Sequence, residues 1–194
     1  MPLKIINQPW QHYSTFNLPE CRPNWWASHA QLPTPILFDD KIRVYVMARD
    51  QSNQSRVGWV DLSREDPRNV LAISDIPALS LGEIGAFDDM GVAPSCVVRE
   101  QDFMYLYYVG ITARKSVSLD YLIGLAISRD NGNNFERIYT GPIIGKSLDE
   151  PFLCTSPYVT KKEEEWSMIY TSGLGWINVN EKYEMIYDVK TRKS

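Results

Sequence analysis

Histidine is almost absent from this chain, with 2 in 194 residues. Cysteine is scarce as well: Cys21, Cys96 and Cys154 are dispersed, and no two form a C-x-x-C pair. Structural zinc sites draw on these residue types at close spacing, so no metal centre is expected, and nothing in the sequence calls for a cofactor. An odd number of scattered cysteines suits reduced, buried thiols better than a disulfide framework. No window of about 18 residues is apolar enough for a membrane-spanning helix, so no membrane association is expected. The opening Met1-Pro2-Leu3-Lys4-Ile5-Ile6-Asn7 has no apolar run of signal-peptide length. With the reduced thiols, this reads as a cytoplasmic protein. An excess of positive charge is also missing, since the formal net charge is −4. A basic nucleic-acid footprint is therefore excluded as an expectation, while a small anion held by a local Arg or Lys is not. There is no Gly-rich phosphate loop, no nucleophile elbow and no H-E-x-x-H. No segment keeps a 3.6-residue apolar period over three turns, which leaves little room for helices.

What the chain does have is aromatic residues, with 6 Trp, 11 Tyr and 6 Phe. They favour strands and also make sugar-stacking surfaces. It also has an internal repeat. Phe87-Asp88-Asp89 precedes Pro94-Ser95-Cys96-Val97-Val98, and further on Leu148-Asp149-Glu150 precedes Thr155-Ser156-Pro157-Tyr158-Val159. The offset is constant: Asp88 maps onto Asp149, Asp89 onto Glu150 and Ser95 onto Ser156. One period earlier, Ser95 maps onto Thr34, in Leu32-Pro33-Thr34-Pro35-Ile36-Leu37-Phe38. Short runs rich in β-branched and aromatic residues follow in each unit, among them Ile42–Met47, Phe103–Val109, Leu122–Ile127 and Trp166–Tyr170. Ser128-Arg129-Asp130-Asn131-Gly132-Asn133-Asn134-Phe135 carries an Asn-Gly turn signal and fits the Asp-box pattern, a structural hairpin. The expected class is all-β: a β-propeller of four-stranded antiparallel blades, with about three blades over residues 22–82, 83–145 and 146–194. Three such units do not close a ring, and open strand edges tend to recruit partners. A homo-oligomer, or a partner covering the open edge, is expected.

His29–Pro35, Gly85–Ser95 and Thr155-Ser156-Pro157 with Tyr170-Thr171-Ser172-Gly173 resemble the five-bladed glycosidase-like propellers, the superfamily of arabinanases, levansucrases and mannoside phosphorylases. The resemblance covers roughly residues 22–187 and implies the first three of five blades. It also implies carboxylates converging on the propeller axis, one protonating the leaving oxygen while the other activates water. The chain departs from the arabinanase-type pattern. Where that pattern places an Asp beside the inner-strand proline, Thr34, Ser95 and Ser156 stand instead. The acids come earlier, at Asp88, Asp89, Asp149 and Glu150, and these are the catalytic candidates. Adjacent carboxylates raise one another's pKa when desolvated, though a solvated turn or an amide cap gives the same sequence.

Further candidates would bind substrate. His29 and Gln31 precede the first inner strand, and Arg49 and Asp50 end the second strand. An Arg there suits a sugar hydroxyl or an anion. Thr34, Ser95 and Ser156 offer hydroxyls, and Trp26, with Trp25 and Trp176, a stacking face. Each has a plainer structural reading as core, cap or surface pair. The expected partner is a glycan or a sugar phosphate. Three functional classes follow: a glycoside hydrolase or phosphorylase, a non-catalytic glycan-binding propeller, and a structural fragment that oligomerises.

Overall fold

The structure, a computed structural model, describes His12, Thr15 and residues 22–194; Cys21 falls outside these. The described residues form strands and no helix. The first blade holds β1 (Ser28–Leu37), β2 (Lys41–Arg49), β3 (Ser55–Ser63) and β4 (Val70–Ile73). The second holds β5 (Gly91–Glu100), β6 (Phe103–Ala113), β7 (Leu119–Ser128) and β8 (Glu136–Arg137). The third holds β9 (Cys154–Lys162), β10 (Glu165–Val179) and β11 (Lys182–Lys193). Within each blade, sequence neighbours pair antiparallel. Blades one and two share one parallel strand pair, Ser55 and Gly91, and otherwise meet through side chains and loops. The molecule is an all-β partial propeller, and the inner strands β1, β5 and β9 lie side by side along its axis.

Burial follows from position in this stack. Strand β2 buries Arg43–Ala48 without a break, because other parts of the fold cover both its faces. Strand β11 is mostly exposed along its length, because only one side of it is paired. The sequence pattern announces no strand here. Charged residues, among them Lys182, Glu184, Asp188 and Lys190, mask the period-two alternation.

Each inner strand is kinked near its hydroxyl residue, and β1 carries a second shift between Ser28 and Gln31. The register shifts between Gln31 and Thr34 in β1, between Pro94 and Cys96 in β5, and across Ser156 and Pro157 in β9. Pro33, Pro94 and Pro157 give the reason: a proline has no N–H for the ladder, so the strand bulges there. Thr34, Ser95 and Ser156 all sit at this shift. Strand starts Ser28, Gly91 and Cys154 are evenly spaced, at an interval slightly wider than the one that relates Thr34, Ser95 and Ser156.

The core is laid down between blades. The first junction packs Tyr45 and Val57 of blade one against Leu106, Tyr108 and Phe135 of blade two. Phe135 arrives on the Asp-box hairpin between β7 and β8. Gly132 takes φ of 76° at its tip, a conformation that favours glycine, and its N–H donates to Ser128 Oγ at 2.8 Å. Tyr45 donates its hydroxyl to the Gly132 carbonyl at 2.8 Å, and the Phe135 N–H donates to Ala78 O at 2.7 Å. Arg43, only 2% exposed, is held bidentately by Asp61 and donates to Asn133 Oδ1 at 2.8 Å. The second junction uses two smaller clusters, around Ile123, Ile144, Cys154 and Tyr170, and around Cys96, Tyr107 and Val159. Cys96 and Cys154 are free and buried, and burial pushes both thiols up in pKa.

Candidate axial site

The kinked inner strands and the ends of β2, β6 and β7 enclose a cavity of about 370 Å³ at the mouth of the axis. Its polar lining comes from Arg49, Asn53, Ser55, Ser95, Thr155 and Ser156. Its apolar wall includes Leu32, Met47, Val109 and Ile111. Local backbone shape helps to build it. Leu32 and Ser156 take φ of 55° and 54°, and His29 takes 64°, in strands that should be extended. Such conformations cost about 1–3 kcal/mol each and collect at binding sites. Ser95 Oγ donates to the Pro157 carbonyl at 2.8 Å, tying the second inner strand to the third. Arg49 is half-buried and donates to Asn53 Oδ1 at 2.9 Å. No carboxylate lines this cavity among the described residues.

A second cavity, of about 310 Å³, shares Leu119 and Tyr121 with the first. The β10–β11 hairpin lines it with Trp176, Tyr183 and Tyr187. Burial raises the pKa of Tyr121, with Tyr187 adding to the rise and Arg49 opposing it. Tyr121 therefore sits between the cation of one cavity and the aromatic wall of the other. Across this shared wall a cationic, hydroxyl-lined cavity stands beside an aromatic one. Sequence reasoning names Trp176 as a stacking candidate but misses Tyr121, Tyr183 and Tyr187. Strand alternation in β7 is a signal for Tyr121, whereas β11, masked by its charged residues, offers none for Tyr183 and Tyr187.

The four acidic candidates lie apart from the mouth. Asp88 is 1% exposed in the first junction, where it accepts from Tyr108 Oη at 2.9 Å and Arg137 Nε at 2.7 Å. Its other oxygen lies against Gly82, where a Cβ would come within 1.9 Å. Glu150 is the matching acid of the second junction. It accepts from Tyr170 Oη at 2.8 Å and from Arg192, with Lys190 Nζ at 3.3 Å. Burial alone would raise its pKa, but the donors Tyr170, Ser172, Arg192 and Lys190 together hold it down at about 2. Tyr170 follows Tyr108 at the same interval at which Glu150 follows Asp88. Trp26 stands at the corresponding position of blade one and is buried among Val44, Val46 and Val60. It donates from Nε1 to the His29 carbonyl at 2.6 Å. Asp89 accepts from the Gly85 N–H at 3.0 Å, and Asp149 is exposed.

Of the binding candidates, Arg49, Ser95 and Ser156 line the cavity. Asp50 does not: it caps its own turn, accepting from Ser52 N and Gln54 N, and pairs with Arg56. Burial pushes its pKa up, but these donors leave it lowered. His29 is exposed, its Nδ1 2.8 Å from Ser28 Oγ, and Gln31 is exposed too. Thr34 is buried and donates to the Leu32 carbonyl at 3.1 Å, which supports the cavity wall without lining it. Among the described residues no three His, Cys, Asp or Glu side chains group as metal ligands, and no helix is long and apolar enough to cross a membrane.

No family model matches the chain. Two Mycobacterium tuberculosis proteins, Uncharacterized protein MT1551 (strain CDC 1551 / Oshkosh) and Uncharacterized protein Rv1502 (strain ATCC 25618 / H37Rv), are each 34% identical to it over 168 residues. The match takes in 86% of this chain and 56% of each relative, so the chain spans about half the length of the curated proteins it resembles. Among solved structures, a glycosyl hydrolase from Bacteroides ovatus superposes with a TM-score of 0.59 at 16% identity, over 83% of this chain and 52% of that one. A thermostable family-43 glycoside hydrolase gives 0.55 at 16% identity, over 85% and 52%. A structure from the GH130 family of mannoside phosphorylases, a family containing hydrolases that target β-1,2 mannosidic linkages in Candida mannan, gives 0.59 at 16%, over 83% and 52%. Over its three blades the chain has the β-propeller fold of these structures.

Proposed function

We propose that this chain, with the glycosidase-like propeller fold, forms part of a carbohydrate-recognition centre at the axial mouth of the blades. One observation carries the reading: the Arg49 cavity and the Trp176 cavity share Leu119 and Tyr121 in their walls, so that a ligand spanning both would occupy one groove. Sugars present an apolar face for aromatic stacking and a rim of hydroxyls for hydrogen bonding, and this groove offers both. Trp176, Tyr121 and Tyr187 supply the stacking faces, and Ser95, Ser156 and Asn53 the polar contacts. Arg49, with no acid beside it in the cavity, favours a ligand with an anionic group, such as a sugar phosphate. Asp88 and Glu150 are engaged as counter-ions within the blade junctions. The reading is therefore binding first, with any hydrolysis or phosphorolysis drawing on acids outside this cavity.

The same reading includes an assembly. Tyr158, Ile169 and Val189 are 60%, 47% and 67% exposed on the third blade, and a further sheet or a second copy would cover them. Light scattering tests this, and a monomer at high concentration would count against it.

The ligand test is a glycan array together with calorimetric titration of mannose, arabinose and their 1-phosphates, run beside a phosphate-dependent activity screen. The expected result is binding of at least one sugar or sugar phosphate that weakens tenfold or more in both Arg49→Ala and Trp176→Ala. If every ligand bound by the parent chain is held equally by both variants, the axial groove is not the site.

A further inference from the structure

The start of β1 departs from the regular entry of β5. There Gly91, Val92 and Ala93 stand opposite Ile111, Gly110 and Val109 without a break, and no residue of β5 is left-handed. β1 loses register between Ser28 and Gln31, and inside that shift His29 takes φ of 64°. For a residue with a Cβ this conformation is costly and persists only where the surroundings enforce it. Two contacts enforce it here. Trp26, fully buried, donates from Nε1 to the His29 carbonyl at 2.6 Å, and Ser28 Oγ lies 2.8 Å from His29 Nδ1. The imidazole held in this way is exposed, so packing does not offset the strain.

The register says where the ring lies. Ser28 stands opposite Arg49 in the β1–β2 ladder, and directly opposed residues carry their side chains on the same face. In a regular strand His29 would turn to the other face. The left-handed kink and the Ser28 hydroxyl instead bring the imidazole round to the Arg49 side, at the rim of the axial cavity that Arg49 and Leu32 line. With Nδ1 engaged by Ser28, Nε2 is the nitrogen left for a ligand.

We propose that His29 and Arg49 close on one phosphomonoester group at this rim, with Trp26 as the positioning residue that holds His29 in place. The inference rests on the axial reading above and specifies its anion. Arg49 gives one N–H to Asn53 and meets no acid in the cavity. A planar carboxylate is satisfied by a guanidinium alone, through two parallel N–H bonds. A tetrahedral phosphate keeps further oxygens free, and a donor arriving from the β1 side suits one of them. A sugar phosphate and free phosphate share this chemistry, and the test separates them.

The chain has only two histidines, His12 and His29, so their imidazole C–H resonances can be followed separately. The parent chain is titrated with inorganic phosphate and, in a second series, with mannose 1-phosphate, at constant pH and ionic strength. The His29 resonance is expected to shift to saturation in the parent and to stay still in Arg49→Ala, with His12 as the internal control. Tighter saturation by one of the two ligands assigns the source of the phosphate. A His29 resonance that neither ligand moves, or that moves as far in Arg49→Ala as in the parent, overturns the proposal. His29→Gly suits the left-handed backbone, so it should melt no lower than the parent while binding the phosphate about fivefold or more weakly. Trp26→Phe, which keeps a ring and loses the donor, should weaken phosphate binding and leave that of neutral sugars unchanged. His29→Gly melting more than about 3 °C lower with unchanged affinity would make the kink part of the framework and overturn the proposal. If no carbohydrate binds while phosphate still moves His29, the sugar reading falls and this one stands. Sugar phosphate binding through Arg49 and Trp176 with a silent His29 does the reverse.

Discussion

The two junctions between blades solve one packing problem with different degrees of completeness. Both bury a carboxylate under a tyrosine hydroxyl of the blade's second strand, and both add a guanidinium. In the first junction Asp88 is 1% exposed, and its Arg137 partner is 22% exposed at the side chain. In the second, Glu150 is 4% exposed, but Lys190 and Arg192 are 31% and 51% exposed at their side chains. The first is roofed by the Asp-box hairpin and Phe135, and the second opens into a cleft of about 420 Å³. A buried carboxylate is therefore not by itself a sign of chemistry. In this fold it is the counter-ion that lets an arginine and a tyrosine cross from strand to strand.

The largest expected effect comes from making the first junction resemble the second. Phe135→Ala removes the ring that fills it and should cost about 3–5 kcal/mol in urea unfolding. Met168→Ala, at the partly buried wall of the second junction, should cost less than about 2 kcal/mol, since its surroundings are already incompletely packed. Equal costs would erase the distinction between a filled and an open junction.

Next come the carboxylates. Asp88→Asn leaves Arg137 facing a neutral group in a closed site and should cost roughly 3 kcal/mol. Glu150→Gln should cost only about 1–2 kcal/mol, because Lys190 and Arg192 can turn to water. Denaturant titration of the pair measures the difference, and a costlier Glu150→Gln would reverse the order proposed for the two sites.

The pH dependence sharpens the same contrast. Glu150 has a folded pKa of about 2, below its ordinary 4.5. Its contribution is thus fully present above about pH 4.5 and is lost as pH falls toward 2. Unfolding free energies at pH 5 and pH 3 should show this loss in the parent chain and a smaller one in Glu150→Gln. An identical slope in both would place the acid sensitivity elsewhere.

The smallest effect on stability is expected at the axial mouth. Arg49 is half-buried and held by Asn53, so Arg49→Ala should shift unfolding by no more than about 0.5 kcal/mol while abolishing anion-dependent ligand binding. A large loss of stability would move Arg49 from the site to the framework.

Much of the fold is legible in the chain. Alternating aromatic and β-branched runs announce β2, β6 and β7, the Asn-Gly signal announces the Asp-box hairpin, and the spacing of Thr34, Ser95 and Ser156 marks the three inner strands. β11 is not legible, since its exposed, lysine-rich edge lacks an apolar face. The site is only half legible. Arg49, Ser95 and Ser156 reach the axial cavity, but Asp88 and Glu150, the buried members of the repeated acidic pairs, point into the junctions. Asp88 and Arg137 are 49 residues apart, and no local pattern says that they will meet.

The sequence by itself determined the repeat and the strands other than β11, because these depend on side-chain alternation and spacing within the chain. Only the tertiary structure decided which polar groups face the axis and which become internal counter-ions. It also decided that one junction is filled and the other open. Those outcomes depend on what an adjacent blade brings to within a few ångströms, and burial turns an ordinary Asp or Phe into a structural element only once that neighbour is in place.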